Sequence, residues 1–148
     1  HDGSMTTVHA NDARSGVERL VNLLSEGGES AVDSSRVLSL ISSGVDLFVT
    51  IQRYEDGSRR CSGIYEIPNT VTVKDGRVSL EPVPLWEFVQ DSADLDEDSV
   101  DGILKVKGHW ERKNELSPSM IEKKRLKHRE SLSFEEICKL AEQSSKKA

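Results

Sequence analysis

Between Val45 and Gln52 the side chains alternate. Val45, Leu47, Val49 and Ile51 are apolar, and Asp46, Phe48, Thr50 and Gln52 fall between them. A period of two predicts a β-strand. Tyr54-Glu55-Asp56-Gly57-Ser58 then predicts a tight turn, because Gly57 accepts positive φ without steric cost, and Arg60–Ile67 returns as the second strand. This hairpin divides the chain. Before it the apolar spacing is helical: Val17, Leu20, Val21 and Leu24 form one stripe, capped by Asn11 or Asp12 and ended by Gly27 and Gly28. A second helix starts at Asp33, Ser34 or Ser35 and turns Val37, Leu38, Ile41 and Val45 inward. After the hairpin comes another: Val71 and Val73, then Lys74-Asp75-Gly76, then Val78 and Leu80. Pro82 and Pro84 stop it, since neither donates to a ladder.

The two ends read less regularly. Ser4–Val8 is small, hydroxyl-bearing and β-branched, which predicts a short strand. Its polar tip, Thr7 and His9, would stand beside a helix N-terminus, a place where open α/β sheets hold ligands. Leu85–Val89 carries Trp86 and Phe88 and should anchor onto the core. Residues 90–101 include Asp91, Asp94, Asp96, Glu97, Asp98 and Asp101, and their mutual repulsion predicts a loop. Ile103–Val106 reads as a short strand. Ser117 caps a helix with Pro118 in its first position, and Ser133-Phe134-Glu135-Glu136 is a capping box for a last helix, stapled by Leu132 against Ile137.

Composition narrows the class. Net charge is −6 over 148 residues, which disfavours a surface built for phosphate backbones. The longest apolar stretch, near Val45–Ile51, is far below a membrane span. Cys61 and Cys138 lack C-x-x-C spacing and read as two reduced thiols of a cytosolic protein. The first residue is not Met, so the chain reads as cut from something larger.

Three segments carry a resemblance. His1 through His9-Ala10-Asn11 resembles the histidine box of the ATPases that drive type II and type IV secretion and pilus assembly. Arg14, Arg19 and Leu20 follow on a helix, as in the CpaF branch. Val45-Asp46-Leu47 leads to Arg53-Tyr54-Glu55-Asp56-Gly57-Ser58-Arg59-Arg60 and on to Ile64 and Glu66. Together they are similar to the CpaF-type ATPase of tight-adherence (Flp) pili. The match is good over residues 1–67, only compatible over 68–110 and weak over 111–148. The resemblance implies the C-terminal half of a RecA-like P-loop core in residues 1–67 and a C-terminal extension in 68–148. It implies a homo-oligomer, usually a hexameric ring, that binds ATP and Mg²⁺ between subunits. Such a ring works in the cytoplasm at the inner face of the cell membrane, against an inner-membrane platform protein. Yet no G-x-x-x-x-G-K-[ST] loop stands in this sequence, and Gly27-Gly28-Glu29-Ser30 lacks the lysine. Phosphoryl transfer rests on that loop, its lysine and Mg²⁺, so these residues alone are expected to be inactive and to bind no cofactor.

Each candidate residue has a plainer reading. By the resemblance His9, with Thr7 and His1, would sense the γ-phosphate or the attacking water; alone, His9 is a strand-end histidine bonded to a carbonyl. Arg53, Arg59 and Arg60 read either as nucleotide-binding arginine fingers or as ion-pair partners of Glu66 or Asp56. His1 and His9 do not have metal-site spacing. Asn11 reads as a helix cap. Lys105, Lys107, Arg112, Lys113, Lys123, Lys124, Arg125, Lys127, His128 and Arg129 give the tail a basic face. With Trp110 it could take nucleic acid, but a solvated helix face, an acidic subunit contact or anionic lipid fits the overall charge better.

Overall fold

The computed structural model describes residues 3–26, 33–95 and 104–127. The chain divides into two units, His1–Ser117 and Pro118–Ala148.

In the first unit, α1 (Ala13–Glu26) and α2 (Ser34–Gly44) precede the strands. Asp12 caps α1: its Oδ1 accepts from the Ser15 N–H at 2.7 Å, and its own N–H donates to Ser15 Oγ at 3.0 Å. The reciprocal bonds satisfy donors that the helix start would leave open, so the cap is Asp12 and not Asn11. Asp33 does the same for α2, accepting from the Ser35 N–H at 3.0 Å. These bonds, to the Ser15 backbone in one case and the Ser35 hydroxyl in the other, hold both carboxyls below their ordinary range.

A four-stranded antiparallel sheet follows, in the order β1-β2-β5-β6, with β1 at Leu47–Arg53, β2 at Arg59–Glu66, β5 at Val83–Leu95 and β6 at Leu104–Arg112. Between β2 and β5 lies the small hairpin of β3 (Thr72–Lys74) and β4 (Arg77–Ser79). Gly57 and Gly76 take positive φ at the two hairpin turns, as their sequence positions predict. The core joins α1, α2 and the β3–β4 region: Val17, Val37, Leu38, Ile41, Ile67 and Leu80 are buried together, with Phe48 and Val45 packed against them. Ser42, also buried, donates to Pro68 O at 2.7 Å and fixes α2 to the exit of β2. Because β2, which ends at Glu66, pairs with β5, which starts at Val83, one sheet includes strands from both sides of the 67/68 division.

Three expectations need correction. Ser4–Val8 joins no ladder among the described residues; its composition suits a strand, but the chain places none beside it. The acidic stretch is strand as far as Leu95, because β6 supplies the opposite charges: Lys107 meets Asp94 at 3.7 Å and His109 meets Asp91 at 2.9 Å. Residues 96–103 lie outside the described residues. Lys105 is on a strand as expected, but that strand, β6, runs past Val106 to Arg112, so Lys107 and Arg112 are on it and not on a helix face.

Pro84 is the second residue of β5. It lies opposite Tyr65 of β2, beside the register shift between Ile64 and Tyr65, an irregularity of the kind where a ladder admits proline. Asn114 Nδ2 donates to the Pro84 carbonyl at 2.8 Å. Glu66, 3% exposed, is answered by Ser117, whose N–H donates to it at 2.8 Å and whose hydroxyl donates to its other oxygen. In the second unit α3 spans Pro118–Lys127, with proline in the first position, where a helix needs no N–H. The capping box at 133–136 lies outside the described residues.

Candidate functional site

The β1–β2 hairpin holds the densest set of candidate residues. Its tip is built by Asp56, whose side chain is 7% exposed. Asp56 Oδ1 accepts from the Ser58 N–H at 2.9 Å and from Ser58 Oγ at 2.5 Å. Its Oδ2 accepts from Arg60 and from the Val106 N–H at 3.2 Å. Arg60 completes the clasp: Nε donates to Ser58 Oγ at 2.7 Å and Nη1 to the Val106 carbonyl at 3.1 Å. The hairpin tip therefore takes both backbone groups of Val106, on a strand two places away in the sheet, and the sheet curls to bring them together. Hydrogen bonds from Ser58 first, then Val106 and the Arg60 charge, hold the Asp56 carboxyl below its ordinary range. The Arg60 guanidinium also lies over the Tyr54 ring at 5.9 Å, and Tyr54, Phe88 and Trp110 follow one another edge to face at 5.5 and 5.9 Å.

Arg53 and Arg59 differ from Arg60. They are opposite each other in the β1–β2 register, both exposed, and no ion pair with a described carboxylate joins either. Like charges directly across a strand pair repel, so the pair invites an anion. Of the two plain partners considered for the arginines, Asp56 is the one that pairs, and only with Arg60. Thr7 and His9 are exposed in the segment before α1, outside any strand; His1 lies outside the described residues. The structure thus gathers the three arginines on one hairpin and leaves Thr7 and His9 on a separate segment.

The opposite side of β5 and β6 carries a polar chain that the sequence reading missed. Its signal is the alternation of Lys105, Lys107, His109, Glu111 and Lys113, a strand pattern. His109 Nδ1 meets Asp91 at 2.9 Å and Nε2 meets Glu111 at 3.3 Å; Lys113 reaches Glu111 at 2.5 Å and Glu87 at 3.9 Å. Asp91 can turn to His109 because it is the extra residue of a bulge between Gln90 and Ser92. The hydrogen bond to Asp91 first, then that to Glu111, raises the imidazole above its ordinary pKa, although the site is solvated. Among the described residues no group of His, Cys, Asp and Glu could hold a metal ion.

The chain ends at Glu87, which accepts from Tyr65 Oη at 2.9 Å. Burial first, then this bond and the carboxylate charge, pushes the Tyr65 phenol up to about 12. A phenol that ionises near 10 when unfolded and near 12 when folded contributes stability that is complete below pH 10 and fades as pH rises toward 12. Burial also raises Tyr54, so ultraviolet titration should show both tyrosines ionising late, and Tyr65→Phe should remove one of the two transitions and this part of the alkaline loss of stability.

Comparison with family models and with curated proteins returns no match for the chain. Among the described residues no helix is long and apolar enough to cross a membrane.

Proposed function

We propose that this chain is the C-terminal part of an ATP-driven motor for protein secretion or pilus assembly, a CpaF-type ATPase with a RecA-like core. The observation that carries the reading is the ordered succession of the histidine box, the helix with Arg14 and Arg19, and the D-G-S-R-R hairpin. In this role His9 and Thr7 feel the state of the terminal phosphate, with His1 as the second histidine of the box. Arg53 and Arg59 are the guanidinium groups left to reach a phosphate across a subunit boundary, and Arg60 holds the hairpin that carries them. ATP and Mg²⁺ would be held mainly by a phosphate-binding loop from polypeptide beyond these 148 residues, since none stands within them. The assembly would be a homo-oligomeric ring, hexameric by resemblance, at the cytoplasmic face of the inner membrane against a platform protein.

The test is steady-state phosphate release. The 148 residues alone should give the blank rate. Joined to a polypeptide carrying the missing loop they should hydrolyse ATP, and His9→Ala should slow that hydrolysis by about 10²-fold, the usual cost of one lost donor to developing charge. Turnover by the isolated chain, or an unchanged rate in His9→Ala, would refute the proposal.

A second reading has its own observation. Leu47, Val49 and Ile51 stand 45%, 58% and 71% exposed on one face of β1, as a non-enzymatic docking module for a secretion platform would require.

A further inference from the structure

The exposed row on β1 can be followed further, and the inference rests on this docking reading, not on nucleotide chemistry. Leu47, Val49 and Ile51 alternate along the strand and so share a face; Phe48, on the other face, packs toward Gly16 of α1. The register extends the row sideways: Val49 lies opposite Ile64, and Ile64 opposite Trp86. Charge on this face is one-sided. Arg53 and Arg59 are the exposed charges of β1 and β2 at this end, whereas Arg112, which lies over Trp86 at 5.7 Å, is paired with Glu115. Glu66, its carboxylate, is buried against Ser117. The carboxylates of Asp91, Glu111 and Glu87 are tied into the polar chain with His109, Lys113 and Tyr65. Among the described residues, the apolar row on β1 therefore ends at two unpaired strand charges, Arg53 and Arg59, and both are cationic.

That combination specifies the occupant. Alternate residues on a strand are spaced by roughly 6.6 Å, and residues four apart on a helix by roughly 6 Å. Three apolar side chains in a row on β1 thus match three at helical spacing on a partner. The uncompensated Arg53 and Arg59, one step beyond Ile51, call for carboxylates at one end of that helix, and acidic residues are most stable in a first turn. A nucleic acid fits less well. The exposed row is aliphatic, and the Trp86 face is already covered by Arg112.

We propose that the Leu47–Val49–Ile51 face of β1, with Arg53 and Arg59 at its end, docks an amphipathic helix of a partner protein, apolar along one stripe and acidic in its first turn. Such a helix-on-groove contact draws affinity from the apolar anchors and orientation from the charges.

The test uses the full 148-residue chain and a fluorescein-labelled synthetic helix of roughly 16 residues, long enough to hold helical structure, with leucines at four-residue intervals and two glutamates in the first turn. Anisotropy should show saturable binding that weakens with salt. Ile51→Gln, at a site too exposed to matter for folding, should weaken it about tenfold, and Val49→Lys at least as much. Arg53→Glu with Arg59→Glu should weaken it and remove the salt dependence. Leu23→Lys, an exposed apolar site on α1, should change nothing. Circular dichroism checks that each variant folds. Three results would overturn the proposal: no saturable binding, binding indifferent to Ile51→Gln, or a single-stranded oligonucleotide bound at the same residues in the peptide's place. Sedimentation showing that a second copy of the chain covers the row would overturn it as well. Because no nucleotide is present, failure here is separate from failure of the motor reading, which the phosphate-release assay judges.

Discussion

Ile67→Ala is expected to lower the free energy of unfolding by about 2–5 kcal/mol, the range for truncating a buried isoleucine to a cavity. Ile67 is 1% exposed and stands where the helices, the end of β2 and the small hairpin converge. Its N–H donates to Asp46 O at 2.9 Å, which ties the same residue to the start of β1. The backbone bond survives the substitution, so the loss should appear as a lower denaturant midpoint with an unchanged slope. Urea unfolding followed by circular dichroism measures it. A change below about 0.5 kcal/mol, ordinary for a surface site, would mean that the core does not close around this side chain.

Gly108→Val should cost about 1–3 kcal/mol, the range for overpacking, and should also loosen the aromatic group. A Cβ at position 108 would fall on the Val89 carbonyl oxygen and on the Phe88 ring, which lies over the glycine. Backbone on one side leaves no room to yield, so Phe88 must move, and with it the edge-to-face contacts to Tyr54 and Trp110. The expected readout is a lower midpoint together with a red shift of tryptophan emission as Trp110 becomes wetter. Gly63 offers an internal comparison: a Cβ there would sit 2.6 Å from the Tyr65 ring, the movable part of a side chain. Gly63→Ala should therefore disturb the Tyr65 titration more than the tryptophan signal.

Much of this architecture was readable from local pattern. The stripe at Val17, Leu20, Val21 and Leu24 and the inward set at Val37, Leu38 and Ile41 fixed two helices. Asp56-Gly57 and Asp75-Gly76 fixed two turns, because in each the physical requirement falls within a few residues. What escaped depends on partners distant in sequence. Asp91 and Asp94 read as mutually repelling until Lys107 and His109 pair with them across β5 and β6. Ser4–Val8 has strand composition, but composition cannot supply a neighbour. The same limit governs the candidate site. Arg53, Arg59 and Arg60 stood out as a group together with Asp56, yet nothing local said that Arg60 alone would be claimed. Its partner outside the hairpin, the Val106 carbonyl, comes 46 residues later.

The clasp on Val106 has a consequence for how such molecules can assemble. Hydrogen-bonding groups on the rim of an open sheet are a standing invitation to further β-strands. On the β6 flank, carboxylate and guanidinium already occupy part of that rim, with Lys105 and Lys107 beside them as a deterrent. Among the described residues no charged side chain of β1 itself guards its flank between Leu47 and Gln52. Recruitment of a further strand is therefore favoured at β1 over β6. Two molecules joined at β1 would each turn the less receptive β6 flank outward, which disfavours growth into a fibre.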